Sequence, residues 1–174
     1  MKKVKAGFVL LSSVLIFAGC GSTKDSSSDV SESSTSISSS SKAPSSKAEP
    51  VDLTTALSSF ESFTDTYESL SKEQRTPSWE NIAKSEVTWS GKVIDSTGHT
   101  LVIVRSDKWE KGMNWDNVQK NPKDPYYVFI ADFDNDIDAS AYPAGTEVTV
   151  KGSLESRGDP DMPTNWKLYH SEIV

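Results

Sequence analysis

Cysteine is nearly absent from this sequence: Cys20 is the sole example. A disulfide framework and a thiolate metal cluster each need several thiols, so neither is available. Histidine is almost as scarce, with only His99 and His170, which argues against a multi-histidine zinc site. Basic residues are outnumbered, 18 Lys and Arg against 25 Asp and Glu, giving a formal charge of −7. Lys2, Lys3 and Lys5 stand in the first nineteen residues with no acid, so the rest of the chain has 15 basic and 25 acidic residues, near −10. Nucleic acid and anionic lipid headgroups require clustered Lys or Arg, so neither is an expected partner. Long apolar runs are missing too. The stretch Gly7 to Phe17 is interrupted by Ser12 and Ser13 and is too short to span a bilayer as a mature helix. There is no nucleophile elbow, no Cys–His pair, no Gly-rich phosphate loop and no H-E-x-x-H, so catalysis is not expected.

What is present falls into distinct blocks. The hydrophobic fraction of 35% is low for a globular chain, so a long polar segment must dilute the core of one domain. Residues 1–19 have a basic start, an apolar centre and small residues at the end, the plan of an export signal. Phe17-Ala18-Gly19-Cys20 resembles the lipobox of bacterial lipoproteins, with Phe17 where that family prefers Leu. The resemblance implies cleavage before Cys20 and covalent diacylglycerol, with palmitate, on its thiol. The protein would then be anchored at the extracytoplasmic face of the cell membrane without a transmembrane helix. The competing reading is an ordinary secretory leader cleaved near Ala18. Residues 20–50 hold the lipidated cysteine and a Ser-rich tether too polar to fold, with a reach of roughly 30 Å. Such a stalk resembles those of surface lipoproteins of Gram-positive bacteria.

The pattern changes at Asp52. Leu53, Leu57, Phe60, Phe63, Tyr67 and Leu70 recur at helical spacing, predicting one amphipathic helix packed on the domain. A second short helix is expected from Thr76 as N-cap, through Pro77, to about Lys84, with Trp79 and Ile82 inward. Residues 51–85 thus form a helical segment. The remainder, 86–174, reads as β. Strands are predicted at 86–95, where Gly91 suggests a bend or close backbone approach, and at 100–105, 126–132, 146–152 and 166–173. A polar loop fills 106–125, a connector 133–145 holds a short helix, and a turn-rich excursion covers 155–164.

This is the strand order of a five-stranded OB-like Greek-key barrel, expected with no parallel pair and with 133–145 as its longest interior connector. The phrases "EVTWSGKVID", "YPAGTEVTVKGSLES" and "HSEIV" resemble the OB-like domains of small bacterial lipoproteins and of the tRNA-anticodon-type group. Nucleic-acid binding does not transfer from that group, because the chain from Val51 onward has 12 basic and 21 acidic residues.

Four features invite a functional reading. Asp132, Asp134, Asp136 and Asp138 alternate as Ca²⁺ ligands can, although the EF-hand Gly and Glu positions are unfilled; otherwise they form a solvated connector. Arg157-Gly158-Asp159 spells an integrin-type tripeptide on an exposed turn. His99 lies in a turn and His170 in the last strand, with no nucleophile assigned to either. Finally, Trp109 and Trp115, followed by Tyr126 and Tyr127, place aromatic rings in and beside a long polar loop. Such rings are typical anchors of a binding surface; the other reading has Trp109 or Trp115 folding back to plug the barrel mouth. The expected function is a non-catalytic binding module for a protein, peptide or glycan at the cell envelope. The alternatives are a calcium-dependent or hydrolytic envelope enzyme, or a prophage-borne lipoprotein that excludes related phages.

Overall fold

A computed structural model describes residues 48–174. The leader, Cys20 and all but the last residues of the tether lie outside the described residues. No helix among the described residues is long and apolar enough to cross a membrane.

The apolar stripe is present, but it is not one helix. Leu53, Phe60, Phe63, Tyr67 and Leu70 are buried and Leu57 packs beside them. A 3₁₀ turn, Ala56–Ser58, comes first, and Ser59 is extended (φ −151°, ψ 152°) before helix α1, Phe60–Glu68. The Ser59 hydroxyl accepts from the Ser62 amide at 3.1 Å, so an N-cap resets the chain inside the periodic pattern. Helix α2 also departs from expectation, running Lys72–Ile82 rather than from Pro77. Ser71 and Gln74 form a capping box, with bonds of 3.4 and 3.1 Å, and this fixes the earlier start. Pro77 is therefore interior, and α2 proceeds without an amide donor to the Glu73 carbonyl.

Five strands follow: β1 (Glu86–Ser96), β2 (Thr100–Val104), β3 (Val128–Asp132), β4 (Glu147–Ser156) and β5 (Trp166–Ile173). They close in the order β1-β2-β3-β5-β4, an OB-like barrel. All neighbouring pairs are antiparallel except β3 with β5, which is parallel. The expectation of no parallel pair is thus corrected by counting. A closed ring with an odd number of strands cannot alternate direction all the way round. The connector lengths are corrected as well, since 105–127 between β2 and β3 exceeds 133–146 between β3 and β4. Tyr126 and Tyr127 belong to a 3₁₀ turn, Asp124–Tyr127, that closes this longer loop, not to β3.

Alternation sends Trp89, Val93, Leu101, Ile103, Phe129, Val150 and Leu168 inward. A Cβ at Gly91 would come within 2.6 Å of the Val104 carbonyl oxygen, so glycine is what allows β1 to approach β2 there. Helix α1 packs its aromatic face onto this interior. Phe60 lies 5.0 Å from Trp89 and 4.9 Å from Phe129, and Phe63 lies 4.7 Å from Trp166, ring centre to ring centre. Both deeply buried indoles are satisfied: Trp89 donates to the Leu57 carbonyl and Trp166 to the Tyr126 carbonyl, each at 3.0 Å.

The excursion between β4 and β5 folds back on α2 instead of standing free. Arg157 donates to Thr76 at 3.0 Å, Asp159 and Asp161 flank Arg75, and Gly158 packs on the Trp166 ring. Arg157-Gly158-Asp159 is therefore a packed turn and not a displayed tripeptide.

Candidate functional site

The same alternation that fills the barrel places a second apolar set on its outside. Val102 stands opposite Ile130 and Val104 opposite Val128, and Ile94 of β1 joins them. These residues form a cluster separate from the interior. The loop 105–127 lies over it. Its short helix α3, Trp115–Val118, is capped by Asn114, whose side chain accepts from the Asn117 amide at 3.0 Å. Val118 is buried on the strand face, and Trp109, Met113 and Trp115 pack around it half-buried. Both tryptophans thus pack with this outer cluster and not with the interior core.

Within the loop, backed by Val104 of β2, is a cavity of about 570 Å³. Val104, Val118, Met113, Trp109 and Tyr127 form its apolar wall, and Asp107, Lys108, Glu110, Asn121, Lys123 and Asp124 its polar one. The volume is that of a small-ligand site, and a wall that mixes apolar and charged groups in nearly equal share suits an amphipathic ligand. Two rings carry the protein's own cations: Lys92 lies 4.5 Å from the Trp109 ring and Lys108 5.0 Å from Tyr127. Among the described residues the Trp109 Nε1 is buried without a hydrogen-bond partner, unlike the Trp89 and Trp166 nitrogens of the core. Gly145, at φ +93°, sits against the Trp109 ring, where a Cβ would be 2.9 Å from the indole.

Of the aromatic residues singled out in the sequence, Trp109, Trp115 and Tyr127 thus share the loop region. Tyr126 does not; it is 1% exposed and belongs to the interior core. Its hydroxyl donates to the Thr64 carbonyl at 2.7 Å, and burial pushes its pKa far above that of a free phenol. Tyr127 reaches Glu68 at 3.2 Å, and burial with that carboxylate raises its pKa as well.

Sequence reasoning missed Arg105, which roots the loop. Its side chain is 5% exposed and bonds Asp107 at 2.9 Å, Thr64 at 2.7 Å and Asp65 of α1. Burial opposes its charge, but the Asp107 and Asp65 hydrogen bonds outweigh that and hold its pKa above the usual value. The signal was a lone cation ending an apolar strand, "TLVIVR".

The four alternating aspartates do not converge. Asp132 pairs with Lys167 at 2.7 Å, Asp134 with His170 at 2.9 Å and Asp136 with His99 at 3.0 Å. Asp138 accepts from the Ser140 amide at 3.0 Å and caps a 3₁₀ turn, Ala139–Ala141. Among the described residues no three His, Cys, Asp or Glu side chains assemble a metal-binding group. Alternation along an irregular connector does not place side chains on one face; partners from β5 draw Asp132 and Asp134, the β1–β2 turn draws Asp136, and Asp138 is taken up by its own turn.

No protein-family profile and no curated protein sequence matches the chain. Among solved structures, a yobA protein from Bacillus subtilis subsp. subtilis str. 168 is similar at 10% identity, over 52% of this chain and 97% of that one, with a TM-score of 0.34.

Proposed function

We propose that this protein is a membrane-anchored, extracytoplasmic lipoprotein whose OB-like barrel is a non-catalytic binding module. The observation that carries the reading is the cavity that loop 105–127 forms against Val104 on the outer face of β2, with Trp109 and Tyr127 in its wall. Ligands of such barrels favour that face and its neighbouring loops. Cys20 supplies the anchor, holding the module at the cell envelope with a protein, peptide or glycan as its partner. Both histidines face carboxylates, with no hydroxyl in hydrogen-bond contact with either ring among the described residues, an arrangement that suits structure better than nucleophilic catalysis.

The test has two arms. Cys20→Ser should move the protein from the membrane fraction to the soluble one; unchanged fractionation sinks the anchor. In the second arm the indole N–H resonances are followed by NMR while N-acetyl sugars, dipeptides and a solubilised peptidoglycan digest are added. Shifts at Trp109 and its neighbour Trp115, with those of Trp115 lost in Trp109→Ala, support the site. Shifts confined to other surfaces, or none with any probe, reject it.

A further inference from the structure

We infer that loop 105–127 is a hinged cover, able to leave the outer face of the barrel while the barrel stays folded. The inference concerns how the cavity opens, and holds whether or not the binding reading does.

The argument begins with hydrogen bonds. Amides of Met113, Asn117, Val118, Gln119, Lys120, Asn121 and Asp124 donate to carbonyls of Glu110, Asn114, Trp115, Asn117, Val118 and Asn121. The side chains follow suit, with Lys120 bonding Asn117 and Asn121 bonding Asp124. Among the described residues, every hydrogen bond made by 109–124 has its partner within the loop itself, 105–127. No ion pair joins that stretch to the barrel either, among the described residues. The loop's middle is held to the sheet by apolar contact and by the Lys92–Trp109 stacking alone. Its internal turns would survive its departure.

The two ends behave in the opposite way. Arg105 ties the first hinge to α1 through Thr64 and Asp65, and Ser106 bonds Glu147 at 2.7 Å. Tyr126 and Tyr127 tie the second to Thr64 and Glu68. The backbone bond from the Arg105 amide to the Tyr127 carbonyl, at 3.0 Å, holds the two hinges together. A flap pinned at both ends and only laid down in the middle opens as a unit.

The closed position is also imperfect. The loop leaves a cavity against Val104, and closure leaves the Trp109 N–H buried without an acceptor among the described residues, a cost that opening removes. The face it covers belongs to a different cluster from the barrel interior, so uncovering it leaves the packing among α1, Trp89 and Trp166 untouched. Ile94, Val102, Val104, Val128 and Ile130 would then form a contiguous apolar patch, the kind that marks an interaction surface.

Hydrogen exchange on the full-length protein tests this directly. The hydrogen-bonded amides of Val118 and Gln119 should exchange at least about 100-fold faster than those of β2 and β3, because they escape by local opening. Val118→Ala should accelerate the loop amides further and leave the strand amides unchanged. Exchange of loop and strands at one common rate would show that the loop opens only with global unfolding, and overturns the inference. In a second variant, Trp109–Lys123 is replaced by a short Gly-Ser linker that spares both hinges. It should keep a cooperative melt and gain binding of an apolar fluorescent dye. A folded variant that binds no dye overturns the inference; an unfolded one does too if the exchange rates are also uniform.

Discussion

The inside of the barrel and the outside of the same strands are built to different standards. Inside, aromatic rings from α1, β1, β3 and β5 interlock at 4.7 to 5.2 Å, and both core indoles donate to a carbonyl. Outside, a small aliphatic cluster is covered by half-buried rings, a cavity remains, and the one indole buried there at its nitrogen has no acceptor. Leu101 and Ile103 of β2 serve the inner standard and Val102 and Val104 the outer one, by alternation alone. The difference teaches where folding ends and exchangeable contact begins. The interior specifies the barrel, while the outer face is covered only well enough to keep it from water.

The largest effect should come from breaking the inner standard. Trp166→Ala removes a fully buried ring and should destabilise the protein by about 3–5 kcal/mol in chemical denaturation. A gentler substitution sharpens the contrast, because it can be made at both places. Trp166→Phe leaves the Tyr126 carbonyl without its donor, which adds a buried unsatisfied group to the lost volume; about 2 kcal/mol is expected. Trp109→Phe orphans nothing and removes a donor that is already orphaned, so it should cost less than about 1 kcal/mol. Equal losses at the two sites would erase the distinction between core and cover.

The inner standard was largely legible in the sequence and the outer one was not. Strands β1, β4 and β5 announce themselves by alternation, and the stripe from Leu53 to Leu70 correctly marked what is buried. Its division at Ser59 was readable as an N-cap, and Ser71-x-x-Gln74 as a capping box, so those errors were of weighting. The parallel β3–β5 pair was not a local property at all; it follows from closure. Periodicity also cannot say whether a tryptophan in a loop turns in, turns out or lies flat on a strand face. Trp109 does the last because Gly145 and Lys92, distant in sequence, make room for it. The aspartates of 132–138 do not cluster for a related reason: Asp132, Asp134 and Asp136 find partners elsewhere in the chain, and Asp138 caps its own turn.

The smallest effect belongs to the acidic connector, whose charged contacts are neither interior nor cover. His170 sits in β5 at φ +52°, where the register with β4 shifts, and its Nδ1 lies 2.9 Å from Asp134. Hydrogen bonding and the charge of Asp134 together raise its pKa above 6.5. The sign of the linkage follows. A raised folded-state pKa means the pair's contribution is fully present below the unfolded value and is lost as pH rises through the folded one. Asp134→Asn should therefore lower stability at pH 5 and leave it nearly unchanged at pH 9. Both groups are mostly exposed, so water and salt screen the attraction, and the difference should shrink further in high salt. An NMR titration of His170 reads the cause separately: its midpoint should lie above 6.5 in the wild type and fall in Asp134→Asn. By the same linkage, a fall in the midpoint must appear as a weaker pH dependence of stability, and the pair then helps to hold the connector. If neither moves, Asp134 and His170 do not interact in solution, and the connector is tied down instead by Phe133 and Ile137, whose amides donate to the carbonyls of His99 and Gly98.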